Sequence, residues 1–128
     1  MFIEKSKLEE RRREFPAGTR LELVRMDDPF PPPIGTRGTV TGVDDAGHIE
    51  MRWDNGSSLS VVLPVDEIRK LEAVTVICYG KETTYEDRSD AIAFFTECLC
   101  SSEGAESERY LEILIDLKSG KVVCSDKK

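Results

Sequence analysis

Residues 48–64, HIEMRWDNGSSLSVVLP, decide the first half of the fold. Apolar and polar residues alternate on both sides of the tripeptide 54–56, which is typical of two half-buried antiparallel strands joined by a tight turn. A three-residue loop with Gly56 in the left-handed region pairs Ile49 with Val61 and keeps the apolar side chains on one face. A two-residue Asn-Gly turn would shift the pairing by one residue and place charge beside that face. We therefore predict a type I turn with a G1 bulge at Gly56.

The residues before this hairpin indicate a helix, two more strands and a long loop. Residues 4–14, EKSKLEERRRE, favour a helix with a solvated arginine face, because Glu, Lys, Leu and Arg are good helix formers. Alternating apolar residues predict strands that begin at Thr19 and at Gly38. Residues 27–33 contain four prolines and are predicted to form an ordered loop, because proline removes a hydrogen-bond donor and fixes φ.

The residues after the hairpin close the first domain. Pro64 ends the fourth strand, and residues 66–71 suit a short helical turn. Four short strands, a long loop after the first and a closing helical turn predict an SH3-like β-barrel over residues 16–71. An N-terminal helical segment, residues 1–15, precedes it.

The second half, residues 74–128, predicts a small α/β domain with the order ββααβ. Residues 74–79 and 82–86 suit two strands, and residues 121–125 suit the last one. Asp87 begins a helix, and Ser102 is predicted to cap a second helix that ends near Gly120. The expected apolar faces of the two helices consist of Ala91, Phe94, Phe95, Cys98 and Leu99, and of Tyr110, Ile113, Leu114 and Leu117. The predicted fold class is therefore α+β.

Charge and hydropathy limit the partners and the location. The 128 residues carry a formal charge of −7. Residues 1–70 hold 11 Lys/Arg against 13 Asp/Glu, a net −2, and the remainder holds 7 against 12, a net −5. An acidic chain repels phosphate backbones at long range, so nucleic-acid binding is disfavoured. No apolar run approaches the roughly 18 residues of a membrane span, and the first residues alternate in charge. We expect a cytoplasmic protein without membrane contact.

The sequence contains no pattern typical of catalysis. The four cysteines, Cys78, Cys98, Cys100 and Cys124, are expected to be buried, reduced thiols. Cys98 and Cys100 point about 200° apart on a helix, so one metal ion cannot bind both. His48 is the only histidine, and no phosphate-binding glycine loop occurs. We expect no catalytic residue, no metal and no cofactor, and hence no enzyme.

Because no catalytic pattern is found, the candidate functional residues are those of binding surfaces. Phe30 lies among prolines that would hold it as a rigid anchor, although we expect its ring to fold back over the barrel end. Trp53 lies on the apolar face and is expected to belong to the core. The candidate partner-binding residues lie in the long loop, in the hairpin turn and at the start of the last helix: Asp27, Asp28, Phe30, Pro32, Asp54, Asn55, Glu103, Glu106 and Arg109.

Several short motifs follow one another in the first half: FPAGTR at 15–20, MDDP at 26–29, PPIGTRGTV at 32–40 and WDNGS at 53–57. Over residues 10–71 the chain resembles an uncharacterised SH3-like domain family from mobile and conjugative elements of Gram-positive gut bacteria. The second half resembles a small domain seen in the same setting, through CYGK at 78–81, SEGAE at 102–106, RY at 109–110 and VCSD at 123–126. The resemblance implies a fold and a genetic context, and it carries over no catalytic or ligand-binding residue.

These observations predict a non-catalytic protein-binding module of a mobile element. Its partner would be a basic, nucleic-acid-handling protein, and an acidic inhibitor of a host defence nuclease, of the anti-CRISPR type, is the specific form we expect. One alternative is a nucleic-acid-binding accessory protein of conjugation or replication, which would use Arg11, Arg12, Arg13, Arg20, Arg37 and Arg52. A structural homodimer is a further alternative, and the oligomeric state stays open.

Overall fold

The structure, a computed structural model, describes residues 3–126 and separates the chain into two compact units, residues 1–70 and 71–128. The first unit contains α1 (Lys5–Glu14), β1 (Arg20–Arg25), β2 (Arg37–Val43), β3 (Ile49–Trp53) and β4 (Glu67–Lys70). The second contains β5 (Val74–Cys78), β6 (Lys81–Tyr85), α2 (Arg88–Cys100), α3 (Ala105–Lys118) and β7 (Val123–Ser125). Within the described residues, three helices and two sheets give an α+β fold.

The first unit is built on a four-stranded antiparallel sheet with the order β3-β2-β1-β4. Every second residue of a strand points to the same face of the sheet, so apolar residues at every second position form a core on that face. The buried cluster consists of Phe15, Leu21, Leu23, Val40, Ile49, Met51, Trp53 and Val61. Trp53 belongs to this core, as its place on the apolar face predicts.

The hairpin around Gly56 has the predicted register. Ile49 and Val61 exchange two backbone hydrogen bonds of 2.9 and 2.8 Å. The Gly56 N–H donates to the Trp53 carbonyl at 2.9 Å, and Gly56 has φ +94°. The three-residue loop with a left-handed glycine is therefore confirmed, because burial of one face excludes a slip by one residue.

Two predictions for the residues after the hairpin, a fourth strand and a closing helical turn, are wrong. Residues 57–60 form no strand, and the Leu59 carbonyl accepts a hydrogen bond from the Trp53 indole Nε1 at 2.8 Å. The predicted helical turn at 66–71 is instead β4, which pairs with β1 and sets Ile68 opposite Leu23. The ladder gives these backbone groups partners and packs Ile68 against the core, which outweighs local helix propensity.

Helix α1 confirms the predicted N-terminal helix, but its arginine face is not simply solvated. Arg11 donates to the Gly47 carbonyl at 3.0 Å. Arg12 donates to the Val43 carbonyl and forms an ion pair of 3.0 Å with Asp45. Both side chains thus attach α1 to the end of β2 and to the turn that follows it.

The second unit packs α2 and α3 on a three-stranded sheet with the order β6-β5-β7. Strands β5 and β6 are antiparallel, and β5 and β7 are parallel. The core consists of Val74, Val76, Ala91, Phe95, Ile113, Leu114, Leu117 and Cys124. Asp87 caps α2 as predicted, since its Oδ2 accepts the Ser89 N–H at 3.2 Å.

Two predictions about these helices are wrong. Ser102 does not cap α3, which begins at Ala105 after Gly104; the Ser102 hydroxyl instead donates to the Leu99 carbonyl at 3.1 Å. Phe94 is 50% exposed rather than part of the core. The buried residues of α2 are Ala91 and Phe95, one turn apart, and Phe94 lies at the margin of their face.

Candidate functional site

The loop between β1 and β2, residues 26–35, carries the most exposed aromatic side chain among the described residues, and we call it the Phe30 loop. Phe30 is 87% exposed and Ile34 is 77% exposed. The expectation that Phe30 folds back over the barrel end is wrong. The Asp28 carboxylate accepts the Phe30 N–H at 2.9 Å, and Pro32 is the residue of this segment that is buried. Pro32 therefore holds the loop in place, and Phe30 faces solvent.

Hydrogen bonds fix both ends of the Phe30 loop. Asp66 is 4% exposed, and its carboxylate accepts the Asp27 N–H at 2.9 Å and the Val62 N–H at 2.8 Å. At the other end, the Gly35 N–H donates to the Leu23 carbonyl at 2.8 Å. A loop held in this way loses little conformational entropy on binding, so it is preorganised.

The two candidate binding residues of the hairpin turn, Asp54 and Asn55, form hydrogen bonds within the protein. Arg20 donates two hydrogen bonds to the Asp54 carboxylate, at 2.8 and 2.7 Å. These bonds hold the pKa of Asp54 below its ordinary value. The Asn55 side-chain oxygen accepts the Ser57 N–H at 3.1 Å. Both candidate residues thus serve the turn itself.

The arginines of the first unit are largely paired within it. Arg37 contacts Glu22 at 3.2 Å, and Arg69 contacts the same carboxylate at 3.1 Å. With the Arg20–Asp54 pair and the contacts of Arg11 and Arg12, four of the six arginines considered for nucleic-acid binding have protein partners. In three of these four contacts, those of Arg12, Arg20 and Arg37, a carboxylate offsets the arginine charge, which weakens its attraction for phosphate.

Three candidate residues, Glu103, Glu106 and Arg109, lie in the second unit. Glu103 and Glu106 are exposed, and Glu106 lies in the first turn of α3. Arg109 is half-buried and forms an ion pair of 2.5 Å with Asp126. Its guanidinium also lies 4.0 Å from the centre of the Tyr79 ring, so Arg109 has a structural role.

The tip of the β5–β6 hairpin contacts both Arg109 and Asp126. Tyr79 and Gly80 form a two-residue loop, both with positive φ, +55° and +73°. A non-glycine residue in this region is strained, and the backbone N–H of Tyr79 is fixed by a 3.0 Å hydrogen bond to buried Asp126. The segments CYGK, RY and VCSD, distant in sequence, thus meet through Tyr79, Arg109 and Asp126.

A groove of about 350 Å³ lies beside this hairpin, and we call it the aromatic groove. Four of its five aromatic residues, Tyr85, Phe94, Phe95 and Tyr110, contact one another, with ring centres 5.0 to 6.2 Å apart. The remaining lining residues are Val76, Cys78, Tyr79, Lys81, Thr83 and Cys98. Such a mixture suits apolar side chains or rings rather than a charged substrate.

The chemistry of the thiols does not favour nucleophilic catalysis in this groove. Burial raises the pKa of the Cys78 and Cys98 thiols, so both are protonated at neutral pH. All four cysteines are free, and of the four Cys124 alone is buried as predicted: Cys78 and Cys98 are partly buried, and Cys100 is exposed. Between residues 3 and 126, no group of three or more His, Cys, Asp or Glu side chains is arranged to hold a metal ion.

Tyr110 provides a test of the groove. A hydrogen bond to Glu106, and then burial, raise the pKa of Tyr110 to about 12. The folded state keeps this proton above pH 10, where an unfolded tyrosine ionises, so the associated stability is complete below pH ~10 and is lost as the pH rises towards 12. We expect a late step in tyrosinate absorbance that Tyr110→Phe removes and that Glu106→Gln moves to lower pH. Identical titrations of wild type and Glu106→Gln would contradict the hydrogen bond.

Comparison with known proteins places the first unit in a family. The family model of DUF4314, a domain of unknown function, matches residues 4–71. No curated protein matches the chain. No helix within residues 3–126 is both long and apolar enough to cross a membrane.

Proposed function

The chain belongs to the DUF4314 family through its first unit, and we propose that it is a non-catalytic protein-binding module. In this proposal the first unit is an SH3-like barrel and the second is a ββααβ domain. The Phe30 loop then has the place of the long loop after the first strand, which in such barrels borders the ligand groove. The function is proposed from the site, because a fold alone does not determine it.

The exposed, braced Phe30 carries the proposal. Complete burial of one such side chain contributes about 1.5–3 kcal/mol. Because Asp28, Asp66 and the prolines already fix the loop, little of this energy is lost in ordering it. An aromatic anchor on a rigid support is typical of the residues that dominate protein interfaces.

Charge indicates the class of partner. The second unit carries a net −5, and the first unit pairs most of its arginines internally. We propose a basic, nucleic-acid-handling protein as the partner and a host defence nuclease, such as a CRISPR effector, as its specific form. The chain would act there as an acidic inhibitor encoded by a mobile element.

The test is affinity capture from host lysate with the tagged full chain, before and after nuclease treatment. We expect one stoichiometric protein partner that survives the nuclease and is lost with Phe30→Ala, because the anchor is removed. Ile115→Ala is the control, since Ile115 is an exposed apolar residue on α3 in the other unit. It should retain the partner.

Three outcomes would contradict this function. Material that disappears with nuclease would indicate nucleic-acid binding. Equal loss with Phe30→Ala and Ile115→Ala would show that the Phe30 loop is not the contact. A wild-type chain that forms a dimer in light scattering, and a monomer as Phe30→Ala, would replace the partner with a second copy.

A further inference from the structure

Strand β6 lies at an edge of the second sheet and leaves a row of backbone groups uncovered. Among residues 3–126 it pairs with β5 alone, from Cys78 opposite Lys81 to Val74 opposite Tyr85. The two-residue loop makes Cys78 and Lys81 a hydrogen-bonded pair, and such pairs alternate along an antiparallel ladder. The N–H and C=O groups of Glu82 and Thr84 therefore point away from β5 and can pair with another strand.

The aromatic groove lies directly beside this edge. Side chains opposite each other in a ladder share a face, so Lys81, Thr83 and Tyr85 share the face of Cys78, Val76 and Val74, which packs on the helices. Phe94 is half-exposed and lies next to Tyr85, and the centres of the two rings are 6.2 Å apart. A strand added to β6 would place alternate side chains on this face, where Tyr85 and Phe94 can receive an apolar one.

The β6 edge is flanked by acidic side chains on both faces. Glu82 lies on β6 and, because strand residues alternate, points to the face opposite the groove, where alternate side chains of an added strand also lie. Near the groove, Glu97 precedes the lining residue Cys98, and Glu106 accepts from Tyr110. All three carboxylates are exposed, and Lys81 is the one basic side chain that lines the groove within the described residues. Charge complementarity therefore favours a basic segment.

We propose that the β6 edge and the aromatic groove bind an extended segment of a partner protein in which apolar and basic residues alternate. The segment adds as a strand through the backbone of Glu82 and Thr84, and its apolar side chain lies between Tyr85 and Phe94. The cluster of Tyr79, Arg109 and Asp126 holds the hairpin rigid at one end of the groove. This site lies in the other unit from the Phe30 loop and does not depend on it.

A defined peptide tests the site without any knowledge of the partner. We would titrate the ¹⁵N-labelled full chain with the heptapeptide KVKFKVK and follow the amide signals. We expect saturable shifts centred on Glu82, Thr84 and Phe94, with protection of the Glu82 and Thr84 amides from exchange. The same peptide with alternate N-methyl groups should not bind, because it cannot donate along the edge, and EVEFEVE should bind at least about tenfold more weakly.

Two substitutions distinguish the contribution of the β6 edge to peptide binding from that of the aromatic groove. Phe94→Ala removes the exposed wall and should weaken KVKFKVK about tenfold or more. Thr84→Pro removes an outward N–H that β5 does not use, so the hairpin should persist while the peptide is lost. Ile115→Ala, on another face of α3, should bind as the wild type does. Unchanged signals in β5 and β7 would show that each variant is folded.

Two results would overturn the proposal. Shifts that are absent, or that lie outside β6 and α2, would show that the edge is not a binding site. Shifts of Glu82 and Thr84 that depend on protein concentration without peptide would identify a second copy of the chain as the occupant. Since Phe30→Ala leaves this site intact, failure here and failure of the Phe30 loop are distinguishable.

Discussion

Gly38→Ala is expected to lower the free energy of unfolding of the first unit by about 3 kcal/mol. A Cβ at this position would lie 2.7 Å from Cε3 of Trp53 and 3.0 Å from the Arg52 carbonyl oxygen. Trp53 cannot yield, because it is 1% exposed and its indole N–H is bonded to the Leu59 carbonyl. Strand β3 would therefore have to move away from β2, which would weaken the ladder that positions the core.

Gly42→Ala is the matched control, because it adds the same methyl group to the same strand. Its Cβ would come no closer than 3.4 Å to a neighbour, the flexible Glu50 side chain. We expect a change within about 0.5 kcal/mol. Trp53 is the only tryptophan, so its fluorescence in a urea titration reports the first unit. Equal effects of the two alanines would contradict the proposed clash.

The same region shows how far the sequence predicts the fold. The register around Gly56 follows from one requirement, that Ile49 and Val61 share a buried face, and this is readable from alternation. The clash at Gly38 is not readable, because it depends on the Trp53 ring across a neighbouring strand. Strand β4 is likewise not readable from the sequence, because residues 66–71 satisfy helix propensity and the pairing of Glu67–Lys70 with β1 makes the strand.

In the candidate sites, too, some features can be predicted from the sequence and others require the tertiary structure. Proline content predicts a rigid loop around Phe30, but the direction of the ring depends on Asp28 and on buried Pro32. Asp66 accepts from Val62, four residues before it, and from Asp27, 39 residues before it, so its contact with the Phe30 loop requires the tertiary fold. In the second unit, Gly80-Lys81 indicates a turn after a strand over residues 74–79, but the loop consists of Tyr79 and Gly80. The contacts of Tyr79 with Arg109 and Asp126 require the complete topology.

Asp66→Ala is expected to lower the free energy of unfolding of the first unit by about 3 kcal/mol and to release the Phe30 loop. The buried carboxylate accepts two backbone N–H groups, from Asp27 and Val62, and alanine leaves both without an acceptor. Hydrogen bonds to a charged group are worth roughly 1.5–3 kcal/mol each. Denaturation followed by Trp53 fluorescence, with amide exchange at Asp27 and Val62, measures the loss.

Two further variants separate the stability of the unit from the order of the loop. Asp66→Asn keeps the shape and one acceptor oxygen, so about half of the loss should return. Asp28→Ala removes only the local bond to the Phe30 N–H and should change stability by less than about 1 kcal/mol. If Phe30 acts as a preorganised anchor, both Asp66→Ala and Asp28→Ala should weaken partner retention, because a freed loop must be ordered on binding. Retention by Asp66→Ala equal to that of the wild type, at a temperature where the first unit is folded, would show that rigidity of the loop makes no contribution.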